Sequence, residues 1–362
     1  ALSDGALNQT EGCATISDAN GNLLFYSDGI TVWNRLHAIM PNGAGLNGSS
    51  DATNSALIVK KPGSVNIYYI FTLDNAFGTD GLCYSIVDMN ADFSFGEVVQ
   101  KNIQLLLPAS EKMTAVKHKN NHDVWLIAHE MNSNAFCSYL VTSNGVNSTP
   151  VMSYTGAVYN NWQYSVGCMK VSPDGSKLAA AYHFQINGYC ELFDFNNQNG
   201  QVSNPMVLID YKWPYGIEFS PDNTKLYISE RLMMRIRQLD LTAGSPAGII
   251  NSSVVVSKNI NSPPFAMQLG IDGKIYVAKL TSSYLGVINN PNNSGLSSDY
   301  VDKGVYLAGS ISKIGLPGFV QNYFYLPDFQ YENHCLGDIT SFMTQDSADI
   351  DSLIWNFGDP AS

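Results

Sequence analysis

Six times along the chain a polar turn carrying Asp, Asn or Gly is followed by a run of strand-forming residues. The first copy is Ser17-Asp18-Ala19-Asn20-Gly21-Asn22-Leu23-Leu24-Phe25-Tyr26, and clear copies start at Ser172, Ser220 and Gly270. Looser copies are Lys61-Pro62-Gly63-Ser64-Val65-Asn66-Ile67 and Lys119-Asn120-Asn121-His122-Asp123-Val124. Each turn is preceded by an apolar strand and followed, some ten residues on, by a third strand such as Phe136-Cys137-Ser138-Tyr139-Leu140-Val141 or Arg235-Ile236-Arg237-Gln238-Leu239. Several of these alternate apolar and polar, as a strand does when one face is more deeply buried.

Units begin near Cys13, Asn54, Met113, Ser165, Pro214 and Phe265, at intervals of 41, 59, 52, 49 and 51 residues. Repeats of that length built from about four short strands predict an all-β propeller. A further inner strand is predicted at Ile314–Gln321, 49 residues after Phe265, so the expected number of blades is seven, with eight as the alternative. Ala1–Thr10 is too polar and Gly-rich to serve as a closing strand, which suggests that part of the last blade lies upstream. The intervals hold too much Gly, Asn and Ser for the helices of a Rossmann sheet. Two stacked sandwiches would explain the period poorly.

The composition changes after Pro327, and the domain reading is a propeller over 1–330 and a linker with a second domain over 331–362. Ile339–Met343 and Ile350–Ile354 read as strands, followed by Trp355-Asn356-Phe357-Gly358-Asp359, the beginning of an immunoglobulin-like β-sandwich with an inward Trp. Such a domain needs about 80–100 residues, so the parent polypeptide is expected to be longer. The first residue is Ala1, not Met, which reads as processing or truncation.

With 45% hydrophobic and 14% charged residues the 362-residue chain is globular in composition. A net charge of −12 with only 19 Lys and Arg argues against nucleic-acid binding. No apolar run is long enough for a membrane helix. Of six cysteines, Cys83, Cys137 and Cys190 fall in corresponding third strands, and Cys13 and Cys168 precede corresponding turns. Placement by repeat geometry suits small buried hydrophobes better than a disulfide framework.

The turn carboxylates Asp18, Asp174, Asp222 and Asp272 admit calcium as a cofactor, but hairpin geometry accounts for them without a ligand. His118 and His122 share one loop; His129 and His183 end corresponding strands and are placed on one propeller face. No hydrolase elbow, zinc signature or phosphate loop is present. Lys170, Glu218 and Gln268 occupy matching inner-strand positions in successive units and are expected at the central channel, where they could contact a ligand. Tyr159, Trp162, Tyr164, Tyr211, Trp213 and Tyr215 cluster before two inner strands and are read as an aromatic recognition surface for glycans or proteins.

The phrases Glu11-Gly12-Cys13-Ala14-Thr15-Ile16-Ser17-Asp18, Tyr26-Ser27-Asp28-Gly29-Ile30-Thr31-Val32-Trp33-Asn34, Gln268–Ala278, Leu285–Pro291 and Gly315-Leu316-Pro317-Gly318-Phe319 resemble the N-terminal propeller of Bacteroidetes surface proteins associated with gliding motility and type 9 secretion. The tail resembles a PKD domain. Ser347 and Ser352 resemble O-glycosylation sites of that phylum. The resemblance implies a secreted or cell-surface module of a large protein exported across the outer membrane. It implies an outer-membrane barrel and the type 9 translocon as partners. The expected function is adhesion, recognition or motility without catalysis; the alternative is a carbohydrate-active hydrolase or lyase working at the central face of the propeller.

Overall fold

The computed structural model describes residues 4–158, 160–184, 188–258, 260–321, 329–331 and 341–344. The chain divides into two compact units, Ala1–Phe324 and Tyr325–Ser362. Within the first unit six antiparallel sheets follow one another among the described residues, each ordered from the inside outwards as the chain runs. The unit is therefore a six-bladed β-propeller.

The inner strands are Ala14–Ser17, Ala56–Lys60, Ala109–Lys117, Met169–Val171, Pro214–Phe219 and Pro264–Leu269. Their hairpin partners are Leu23–Ser27, Ile67–Leu73, Val124–Glu130, Lys177–Tyr182, Lys225–Glu230 and Ile275–Lys279. Third strands follow at Thr31–Asn34, Leu82–Asp88, Ala135–Thr142, Gly188–Asn196, Arg235–Asp240 and Tyr284–Ile288. The outer strands are Ile39–Ala44, Glu97–Leu106, Val151–Tyr154, Gln201–Tyr211, Val254–Val255 and Tyr300–Tyr306, with a short extra strand Gly145–Val146 in blade 3. In blade 5 a short helix, Pro246–Asn251, fills the outer connection and is capped by Ser245 Oγ accepting from Gly248 N.

The recurring polar phrase is the first hairpin turn of every blade. Each of the six turns holds one residue at positive φ: Gly21, Gly63, Asn121, Gly175, Asn223 and Gly273. Gly and Asn are the residues that tolerate this conformation. The Asp side chains bind the turn itself. Asp18 Oδ1 accepts from Asn20 N and Asn22 N while its Oδ2 accepts from Asn22 Nδ2. Asp174 Oδ1 accepts from Ser176 N, and Asp222 Oδ1 from Thr224 N. These hydrogen bonds give the carboxylates a turn-making role that explains their recurrence without calcium.

Apolar side chains gather between neighbouring blades rather than in one central core. Leu57, Phe71, Met113 and Leu126 pack blade 2 on blade 3, and Met169, Trp125, Phe136 and Phe193 pack blade 3 on blade 4. Cys83, Cys137, Cys168 and Cys190 are buried free thiols at the positions the repeat assigned.

The seven-blade expectation is corrected at Ile314–Gln321. This segment has the apolar pattern of an inner strand but no hairpin partner among the described residues. It wedges between the inner strands of blades 6 and 1: Ala266 N donates to Ile314 O, Ile314 N to Thr10 O, and Gly318 N to Cys13 O. It then enters the channel, where Val320 lies parallel to Ala115 of blade 3 and is fully buried, as is Gln321. Blades 1 and 6 each have four strands of their own, so the ring closes by this wedge rather than by a shared sheet. Val320 packs with Leu57, Val59 and Ala115. Val320→Ala is expected to cost about 2 kcal/mol, read as a lower denaturant midpoint with an unchanged slope. No loss would mean that the channel collapses around the gap.

In the second unit the described residues form one antiparallel ladder, Phe329–Tyr331 with Phe342–Thr344. No immunoglobulin-like sandwich is present among the described residues. Trp355–Asp359, Ser347, Ser352 and Cys335 lie outside them. No helix among the described residues is long and apolar enough to cross a membrane.

Candidate functional site

Because every inner strand starts at the same end of the ring, residues just before these strands and those just after the second strands converge there. Two layers of chemistry result.

The deeper layer runs through the channel. Lys170, Glu218 and Gln268, from blades 4, 5 and 6, are brought together as expected. Lys170 Nζ donates to Gln268 Oε1 at 2.5 Å and lies 3.2 Å from Glu218 Oε2. Glu218 also accepts from Phe219 N and Leu269 N, and Gln268 Nε2 donates to Leu269 O. All three are buried. Their polar groups satisfy one another, so the trio ties three blades together. Val320 fills the side facing blades 2 and 3.

Nearer the strand starts sits a second buried polar group, which the sequence reading did not single out. Glu111 Oε2 accepts from Thr53 N (3.0 Å) and Thr53 Oγ1 (2.9 Å), and Oε1 from Ala76 N, which ties blade 3 to blade 2. Gly167 N donates to the same Thr53 hydroxyl. Lys112 points the other way. Its Nζ donates to the carbonyls of Tyr164, Ser165 and Val166 at 2.7, 2.8 and 3.0 Å and stands 5.0 Å above the Tyr182 ring. Burial pulls the Lys112 ammonium down to about 7, opposed by Glu111. The signal in the sequence was the adjacent pair Glu111-Lys112 inside a strand whose other charged residue, Lys117, stands at its end.

Glu11 completes this layer from blade 1. Burial first, and then the charge of Glu111, push its carboxyl up to about 8, against the pull of Tyr215 and Thr53. It is therefore largely protonated at neutral pH. Burial also raises Glu111.

The outer layer is an aromatic and imidazole rim. Trp162 is 43% exposed and meets Phe77, 71% exposed, with ring centroids 4.8 Å apart. Tyr164 stacks on Phe184 at 4.7 Å. Trp213 lies 5.6 Å from His183 and carries the Arg231 guanidinium 4.8 Å above its ring. His183 is pulled down to about 4 by burial and Arg231, and His129 to about 3 by burial and Lys112, so both imidazoles are neutral at pH 7. His129 and His183 share one face, as the repeat predicts. His118 instead ties its hairpin loop to blade 4, with Nε2 at 2.9 Å from Gln198 O, while its Nδ1 accepts from Asn120 N within the loop.

The rim keeps part of the expected aromatic surface. Trp162, Tyr164 and Trp213 belong to it. Tyr215 does not: it is 1% exposed, packs edge-on to Phe265 at 5.1 Å and faces the Glu11 layer. Its position directly inside an inner strand, rather than before one, turns it inward. Tyr159 and the Tyr211 side chain lie outside the described residues. Phe77, Phe184 and Arg231, which sequence reasoning missed, come from loops after or between second strands, where the repeat gives no marker.

No protein-family model matches the chain, and no curated protein sequence matches it. Among solved structures it is similar to a streptogramin B lyase (15% identity, 80% of this chain and 83% of the other, TM-score 0.47). It is also similar to the Kuenenia stuttgartiensis hydrazine synthase (11%, 95% and 99%, TM-score 0.49) and to a chain of a nidogen/laminin complex (12%, 77% and 90%, TM-score 0.44). What its own strands establish is an all-β, six-bladed propeller with a polar channel filled from within and an aromatic rim at one end.

Proposed function

We propose that this propeller is a non-catalytic recognition head of a secreted or cell-surface protein, exported by the type 9 route and continued by PKD-like domains. The observation that carries this reading is the contrast between the two layers: the channel groups Lys170, Glu218 and Gln268 are engaged with each other, whereas Phe77 and Trp162 leave apolar ring surface open to solvent. Aromatic faces offer contact area at low entropic cost and suit the apolar faces of sugars or an extended protein segment. Arg231 over Trp213 adds a cationic edge to the rim. Export, an outer-membrane barrel partner and surface retention rest on the resemblance of residues 1–330 given above.

The reading predicts that glycans or envelope fragments retained by the full chain are lost from Trp162→Ala and Phe77→Ala by tenfold or more, about 1.4 kcal/mol. Far-ultraviolet dichroism should stay unchanged. Retention that is equal in both variants would remove the rim from the binding surface.

A second reading is favoured by Glu11. A carboxyl held protonated beside a second carboxyl resembles the acid partner of a glycan-cleaving pair. It requires turnover of a polysaccharide by the wild-type chain and its loss in Glu11→Gln; a panel of polysaccharides left uncut by the wild type sinks it.

A further inference from the structure

Three of the chain's four arginines follow one another in blade 5: Arg231 in the turn after the second strand, Arg235 and Arg237 in the third strand. Glu230 serves two of them. This buried carboxylate accepts from Arg235 Nε and Nη2, from Arg237 Nε at 2.7 Å and from Lys212 N at 2.9 Å. Those donors use up the lone-pair sites of a carboxylate. Arg231, next to Glu230 in sequence, is left over: among the described residues its guanidinium has no ion pair and no hydrogen-bond acceptor. It is nevertheless held in place. It lies 4.8 Å above the Trp213 ring and 5.1 Å above the Phe265 ring, and Arg231 N donates to Trp213 O at 3.1 Å. Trp213 has a φ of 55°, a left-handed conformation that a bulky residue adopts only under constraint and that clusters at ligand sites. Directly after the cation, Leu232, Met233 and Met234 are all exposed.

We infer that Arg231 anchors a subsite for an acidic sugar: its guanidinium takes the carboxylate of a uronic acid as a bidentate pair, and the apolar face of the pyranose lies on Leu232, Met233 and Met234. This assignment rests on the reading of the rim as a glycan-recognition surface and names the class of glycan. A carboxylate is a pure acceptor and the Arg231 fork a set of donors without one, matched in geometry. The two rings fix the guanidinium beforehand, so pairing costs little side-chain entropy. Methionine adapts to the shape laid on it. An aspartate side chain carries the same charge but no rigid ring to cover the apolar turn. Dense polyanions are selected against, because the net charge of −12 repels them. A single carboxylate meets chiefly the charges within the screening length of about 8 Å at physiological salt, and there Glu230 is already neutralised by Arg235 and Arg237.

The experiment is calorimetry of the 362-residue chain with methyl β-D-glucuronide, methyl β-D-glucoside and an N-acetylated, amidated aspartate. The glucuronide is expected to bind with Kd on the order of 1 mM and about tenfold more tightly than either of the others. Arg231→Met keeps an apolar stem against Trp213 and Phe265 and should erase the preference for glucuronide over glucoside. Arg231→Lys keeps the charge without the fork and should weaken the glucuronide about threefold or more. Denaturant midpoints of both variants report any loss of folding separately. Absence of glucuronide binding, a glucoside or aspartate bound as tightly, or a preference unchanged in Arg231→Met would overturn the assignment. The rim reading fails differently: glycan retention undiminished in Phe77→Ala and Trp162→Ala removes the rim, while an Arg231-dependent glucuronide preference would still stand.

Discussion

Gly315→Ala is expected to destabilise the propeller by about 3 kcal/mol or more. A Cβ on Gly315 would stand 1.8 Å from Glu11 O, a backbone atom with no freedom to rotate away. Relief requires moving the wedge. The wedge is held by three backbone hydrogen bonds, from Ala266 N to Ile314 O, from Ile314 N to Thr10 O and from Gly318 N to Cys13 O. Each is worth about 1 kcal/mol, and shifting the segment also disturbs Val320 in the channel. Gly216 is an internal check, because its Cβ would meet Phe265 O at 2.1 Å between blades 5 and 6. Gly216→Ala should therefore behave similarly. Gly5→Ala, whose Cβ would meet only Tyr26 Oη at 3.9 Å, should lie within about 0.5 kcal/mol of wild type. Chemical denaturation of the three variants decides the matter: if Gly315→Ala and Gly5→Ala unfold at the same midpoint, the seam is not the closing element of the ring.

Glu11→Gln is expected to be more stable than wild type at pH 8.5, by about 4–5 kcal/mol, and close to it near pH 4.5. The folded-state value of Glu11 is raised to about 8 from 4.5. Between those values the folded protein binds the proton that the unfolded chain releases, so wild-type stability falls as pH rises through this window. Glutamine mimics the protonated acid and has no such loss. Glu191, raised to about 7 by burial, contributes in the same direction but cancels in the comparison. His129 and His183, lowered to about 3 and 4, act oppositely, since their neutral burial gains stability as pH climbs towards 6.5. They cancel too. Denaturation of both proteins from pH 4.5 to 8.5 gives the result directly. Parallel curves would mean that Glu11 ionises in the folded state as freely as in the unfolded one.

The repeat was legible because its turns need residues that tolerate positive φ, and Gly21, Gly63, Asn121, Gly175, Asn223 and Gly273 record that need in the sequence. The third strands followed from their alternation. The blade count was overestimated because Ile314–Gln321 is as apolar as an inner strand, and local pattern does not reveal whether such a segment pairs with a hairpin or enters a channel. Lys170, Glu218 and Gln268 were identifiable by register alone. What register could not supply was their mutual hydrogen bonding, which depends on three blades meeting at one axis. Glu11 gave no warning either: its raised proton affinity comes from burial beside Glu111, 100 positions away in the chain. Tyr215 points inward because it lies within the inner strand Pro214–Phe219, whereas Trp213 precedes that strand at positive φ.

The burial of the wedge's end has a mechanical consequence. Beyond the wedge, the last described residues before the second unit are Val320 and Gln321, buried in the channel beside Ala115. Tension applied to the chain downstream therefore does not peel the sixth blade from the ring. It is transmitted first to the inner strands of blades 1 and 3, through Cys13 and Ala115, so that the middle of the molecule resists before its edge. Under such tension the propeller is expected to hold its shape until the seam at Gly315 opens.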